Sequence, residues 1–300
     1  MTKLKLYLKN LVKYGLLFNI FFITYLIAGC SSSITPTYTK EKIGTTIEYI
    51  CKNEYRMNIK ARPVGSTLWI YLPLEDILVK SDKPEKYLER FDVGHDKVEF
   101  KENLLAIEYL IKAVPEKEKA QEYKYNKGVL EKINTVWRVL SRVLFSMENQ
   151  EKGRLQFFCL VTADIKNGIV MKELFYYLDL KKVSYQFISQ TEYQHRTIQD
   201  MEILPQIVGD KEGLHLNYKD ITWQEFIIGQ IQQRIRIKFQ KPEVGKKVDI
   251  DKEVLKTTVN TLKIYGFKDF STVELNNLLT NNKTVLNQAA VWVKTTEQKP

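Results

Sequence analysis

Three times along the chain a segment with helical hydrophobic spacing is followed by two extended segments, over about residues 42–72, 126–180 and 250–293. A helix with one apolar stripe must bury it, and a neighbouring hairpin offers the surface to do so. The recurrence therefore predicts repeated α-β-β units and an α+β fold, with helices packed on antiparallel strands and hairpins. In the first unit Ile43, Ile47, Ile50 and Cys51 share a helix face. Extended chain follows from Asn58 to Leu74, with a turn at Pro63-Val64-Gly65-Ser66. In the second, Val129, Ile133, Val136, Trp137, Leu140, Leu144 and Met147 form a continuous stripe, and Gly153 closes the segment. Two strands then run from Leu155 to Ile165 and from Ile169 to Leu180 around Asn167-Gly168, a strong hairpin turn. In the third, Asp251 is expected to cap a helix bearing Val254, Leu255, Val259 and Leu262. A last pair of strands is expected within Phe267–Val293, although Ser271 and Glu274 also fit the capping box of a short helix.

The segments between these units are less patterned. Residues 80–97 are charged and broken by Pro84 and Gly94, which suggests a surface connection. Leu105, Ile107, Tyr109, Ile111 and Ala113 share one parity and suggest a strand or hairpin. Pro115 to Lys127 reads as a solvated charged stretch, and 182–203 fits no single element. Thr222 and Glu225 open another helix as a capping box. Beyond it Ile235, Ile237 and Phe239 alternate with Arg234, Arg236 and Lys238, which leaves helix and strand both open. The division expected is residues 42–210 as an α+β domain and 211–300 as a C-terminal α+β part, read as a candidate second small domain.

The front of the chain is an address. Lys3, Lys5, Lys9 and Lys13 precede a mostly apolar run from Tyr14 to Leu26, and small residues follow before Cys30. A positive start, a short apolar run and a small-residue cleavage site make a secretory signal peptide over 1–29. The run is shorter than the ~20 residues that a membrane-spanning helix needs. Leu26-Ile27-Ala28-Gly29-Cys30 resembles the lipobox of bacterial lipoproteins. That resemblance covers about a tenth of the chain. It implies cleavage after Gly29, lipid on the Cys30 sulfur and acylation of the new amine. Each buried CH₂ adds roughly 0.8 kcal/mol, so two or more acyl chains, such as palmitate, hold a protein stably on a bilayer. Residues 30–41 then read as the lipidated cysteine and a flexible tether. Ser31 stands where an Asp would resemble an inner-membrane retention signal, which favours the outer membrane facing the periplasm if the host is diderm.

Composition removes other options. The 46 Lys and Arg against 36 Asp and Glu give a net charge of +10, but four of those lysines lie in the leader. The body is then only modestly basic, and no nucleic-acid partner is expected. No Gly-x-Ser-x-Gly, no phosphate-binding glycine loop and no Ser-x-x-Lys after the leader is present. His95, His195 and His215 are the only histidines and none pairs at i,i+4, so neither a metal nor another cofactor is expected. With Cys30 lipidated, Cys51 and Cys159 remain, either as two buried thiols or, as the alternative, as a disulfide. Asp164, beside the Asn167-Gly168 turn, reads as a turn carboxylate more readily than as a catalytic one. Arg234, Arg236 and Lys238, with Lys241, Lys246 and Lys247, form a basic cluster that could meet anionic lipid or polymer, against the plainer reading of a solvated face. The expectation is a lipid-anchored envelope protein that binds a protein, lipid or polymer partner and has no assigned catalytic residue. A periplasmic hydrolase acting on envelope polymers, or a solute-capturing lipoprotein, is the alternative.

Overall fold

A computed structural model describes residues 38–146, 155–240 and 244–293. Cys30 and the leader, Met147, Gly153 and Lys241 lie outside the described residues. The described chain is α+β, with seven α-helices and nine strands in two mixed sheets. All three expected units are present. Helix α1 (Ile43–Tyr55) leads into β1 (Lys60–Val64) and β2 (Thr67–Leu74). Helix α2 (Lys127–Phe145) leads into β5 (Phe157–Asp164) and β6 (Ile169–Tyr176). The third unit joins α6 (Ile250–Tyr265) to β8 (Thr272–Asn277) and β9 (Asn282–Asn287). Between the first two units runs a long hairpin, β3 (Leu78–Lys101) and β4 (Leu104–Tyr125). Between the last two lie α3 (Tyr177–Ser184), α4 (Gln190–His195), β7 (Ile198–Ile203) and α5 (Trp223–Gln240). A short α7 (Gln288–Trp292) follows β9.

The two sheets repeat one plan. In the first, the hairpins β1-β2 and β5-β6 join through a parallel contact of β2 with β5, and β7 is added at the β6 edge. In the second, the hairpins β3-β4 and β8-β9 join through a parallel contact of β4 with β8. Helices α1 and α2 cover one face of the first sheet. Ile43, Ile47, Val136, Leu140 and Val143 pack there on Leu68, Ile70, Phe158 and Leu160. The opposite face, with Trp69, Tyr71, Phe157 and Val161, shares a core with α5, α6 and the second sheet. Strands β2 and β5 are buried on both faces, which explains their unbroken apolar runs. The outer face of the second sheet is solvated and carries the ion pairs Lys97–Glu99, Lys101–Glu99 and Lys283–Glu274.

Several expectations change. Residues 80–97 are strand, not an irregular connection, and Pro115–Lys127 is largely strand too. The breakers fall where pairing slips: Pro84 lies between Lys80 and Glu85, and Gly94 between Val93 and His95, both register shifts of the β3–β4 ladder. The strand expected to reach Leu180 stops at Tyr176, and α3 begins. Helix α5 continues to Gln240, because Ile231, Ile235 and Phe239 bury at i,i+4 spacing. Its capping box forms as expected: Glu225 N–H donates to Thr222 Oγ1 at 3.2 Å, and Thr222 N–H donates to Glu225 Oε2 at 2.9 Å. The α6 cap is Asp249, whose Oδ1 accepts from Lys252 N–H at 3.1 Å, and not Asp251. Ser271 directly precedes strand β8 and starts no helix; its hydroxyl donates to Asn103 O at 3.1 Å. Strands β8 and β9 extend the sheet founded by β3 and β4, so residues after 210 share both sheet and core with those before it.

Candidate functional site

A cleft of about 600 Å³ lies between α2, α3, α4 and the edge of the first sheet. The sequence builds it in a simple way. Met171, Glu173 and Phe175 share the β6 parity that faces α2, so an acid stands in an otherwise apolar row. Trp137 on α2 packs its ring on Phe175, with centroids 4.3 Å apart, and meets Tyr193 of α4 edge-on at 6.3 Å. Tyr125, at the end of β4, lines the same cleft.

Glu173 is under-satisfied. Its Oε1 accepts from Gln199 Nε2 at 3.2 Å, and no hydrogen bond of full geometry reaches Oε2. Burial raises the pKa of its carboxyl, against the opposing pull of hydrogen bonds from Gln199 and the Trp137 indole. Burial, and then the Glu173 charge, push Tyr125 up to about 12. The same two causes raise Tyr193, which is only 7% exposed, against the opposing pull of the Thr197 side chain.

A second cleft, of about 850 Å³, lies beside α1, β1 and the end of β2. Lys52, Arg56, Lys60, Lys132 and Lys211 reach it, against Glu48 and Glu212. Glu48 is committed to the backbone, accepting from Ala61 N–H at 2.7 Å, and Lys60 pairs with Glu212 at 2.5 Å.

The residues singled out from sequence fall elsewhere. The suggested anionic-ligand patch is consumed internally. Arg234 pairs with Glu192 at 3.1 Å, Arg236 with Asp96 at 2.6 Å, and Lys238 with Glu253 at 2.6 Å. Lys246 and Lys247 sit in a separate exposed turn. The suggested disulfide is absent: Cys51 and Cys159 are free, buried and in different cores on opposite faces of the first sheet. Burial raises both thiols to about 12, which leaves them protonated and unreactive. Asp164 is structural. It is fully buried and accepts from the N–H groups of Ile77, Lys166 and Asn167 at 2.9–3.1 Å and from Asn167 Nδ2 at 3.0 Å. Burial opposes its charge, but these bonds prevail and hold its pKa below the usual range.

The histidines do not converge. His95 lies on β3, His195 ends α4, and His215 bonds Asp210 through Nδ1 at 3.0 Å. Among the described residues no group of three His, Cys, Asp or Glu side chains is placed to hold a metal. Among them, too, no helix is long and apolar enough to cross a membrane.

Sequence reasoning missed Glu173 and Tyr193, and it read Trp137 only as part of an apolar stripe. The available signal was the position of Glu173 between Met171 and Phe175 on an inward parity. No protein-family model, no curated protein and no solved structure matches this chain.

Proposed function

We propose that this chain is a lipid-anchored lipoprotein of the bacterial cell envelope, with a structural or interaction role performed by the α+β body. The observation that carries this reading is the run from Lys3 to Cys30: four lysines, an apolar stretch, and Leu26-Ile27-Ala28-Gly29 directly before the cysteine. The body fits a binding role better than a catalytic one. One of its clefts offers aromatic rings and one acid, and several charged groups elsewhere are tied into ion pairs. Two clefts open on the first sheet and the helices covering it, available to a protein, lipid or polymer partner. Arg234, Arg236 and Lys238 do not serve that role, because each neutralises an acid of its own chain. If the host is diderm, residence on the outer membrane facing the periplasm follows from Ser31.

Globomycin, which blocks the lipoprotein signal peptidase, tests the reading. The expected result is an accumulated precursor that still carries residues 1–29, together with loss of membrane association in a Cys30→Ala variant. Normal maturation under the block, or unchanged membrane association of Cys30→Ala, would contradict it.

A further inference from the structure

One corner of the surface is apolar without being covered. Phe145, the last residue of α2, is 38% exposed, Tyr185 is 61% exposed and Phe187 is 79% exposed. Single exposed apolar residues are ordinary, whereas a contiguous patch marks a binding surface. These three stand in a row, with ring centroids 5.6 Å apart for Phe145 and Tyr185 and 6.3 Å apart for Tyr185 and Phe187. The backbone holds them there. Gln186 takes a left-handed φ of 60°, its N–H donates to Val183 O at 3.0 Å, and Phe187 N–H donates to Lys182 O at 2.8 Å. That pair of bonds caps the end of α3, and a residue in the place of Phe187 often packs back on the helix it follows. Here the ring stands in solvent instead. The segment 180–191 around it carries Lys181 and Lys182 and no acid.

The chain coming from Cys30 enters the body beside this patch. Tyr38 packs on the core beneath α1 and α2, and its N–H donates to Ser146 O at 3.3 Å, one residue beyond Phe145. Tyr38 stands eight positions after Cys30. Eight positions of fully extended chain reach at most about 29 Å, less than the roughly 40–45 Å thickness of a bilayer with its headgroups. We infer that Phe145, Tyr185 and Phe187 dip into the headgroup–acyl boundary of the membrane that anchors Cys30, with Lys181 and Lys182 at the level of the lipid phosphates. Aromatic rings favour that boundary, and lysines bury their stems while keeping the ammonium among the headgroups. Another protein could cover the same rings, but only the bilayer is brought to them by the chain itself. The inference rests on the lipid-anchor reading above and deepens it, because it fixes which face of the body meets the membrane.

The test attaches the fluorophore NBD to single introduced cysteines in the protein purified from its host membrane and reconstituted in phosphatidylethanolamine–phosphatidylglycerol vesicles. Cys51 and Cys159 are buried, with thiols raised to about 12, so they do not compete for the label, and the parent chain serves as the blank. Phe187→Cys replaces an exposed ring, and Ser184→Cys, at an exposed position beside Tyr185, leaves all three rings in place. Val285→Cys on β9, which pairs with Glu274 on the outer face of the second sheet, is the control. Circular dichroism checks that each variant is folded. On vesicles the probes at positions 187 and 184 should shift to shorter wavelength, lose quenching by iodide and gain quenching by doxyl-labelled acyl chains; the probe at position 285 should stay open to iodide. Vesicle flotation reports the anchor separately. Protein that floats with both patch probes still open to iodide would overturn the inference and leave the anchor standing. Protein that floats with those probes shielded from iodide but untouched by doxyl lipid has another protein chain on the patch, which overturns the inference as well. Protein that does not float contradicts the anchor itself, and the inference falls with it.

Discussion

At the scale of single residues, the structure spends its charged side chains on holding elements together. Asp164 shows this most plainly. Its carboxylate gathers the N–H groups that would otherwise be stranded where β2, β5 and the 165–168 turn meet. Removing it orphans buried donors, each worth roughly 1–3 kcal/mol. Asp164→Ala should therefore lose about 3 kcal/mol of unfolding free energy in urea titration. The pH dependence has a definite sign. Because the folded state holds this carboxyl below its unfolded value, its contribution is present above the ordinary Asp range, about 3.9, and is lost as pH falls through the folded value. The gap in urea midpoint between the parent and Asp164→Asn should accordingly shrink from pH 7 to pH 3; a constant or widening gap would refute the assignment. The turn role of Asp164 was legible from its place beside Asn167-Gly168, but its burial was not, because one donor, Ile77, lies 87 positions away. The same holds for Arg234, Arg236 and Lys238. Their neutralising partners, Glu192, Asp96 and Glu253, come from three other elements.

At the scale of elements, hydrophobic period carried most of the reading. Helices α1 and α2 and the hairpins after them were legible because each buries one face. Helix α5 was legible at its Thr222–Glu225 cap but ambiguous at its end. Alternation of Ile235, Ile237 and Phe239 fits a strand, and only the packing of Phe239 on Phe91 of β3, centroids 5.2 Å apart, settles it. The β3–β4 hairpin was illegible beyond its apolar tip. Its middle is held by backbone ladder and cross-strand ion pairs such as Lys86–Glu118 and Arg90–Glu116, with no apolar face to betray it. Helix α1 supports a sharper prediction. A Cβ on Gly44 would lie 2.5 Å from Ala61 O of β1, a contact that no side-chain adjustment can relieve. Helix propensity alone would make Gly44→Ala stabilising by about 1 kcal/mol. Overpacking against a strand backbone predicts a loss of about 1–3 kcal/mol instead. The sign of the change in thermal or urea unfolding decides between them, and a stabilised variant would show that α1 does not sit this closely on β1.

At the scale of the whole molecule, two sheets built on one plan share a core, and the last unit is needed to complete the second sheet. Residues on the two sides of position 210 accordingly share a sheet and a core. Sequence reading recovered the units but not how their strands pair, since the parallel contacts β2–β5 and β4–β8 join segments far apart in the chain. It recovered neither cleft, because each is assembled from several elements whose side chains look ordinary one at a time. What sequence supplies and the fold does not is the address proposed for the front of the chain. The account of this protein as a tethered envelope component stands on Cys30. Mass spectrometry of the protein purified from its native host tests it most directly. The account predicts a chain that begins at Cys30 and carries a diacylglyceryl group on its sulfur. A chain that begins at Met1, with the leader intact and Cys30 unmodified, would contradict it.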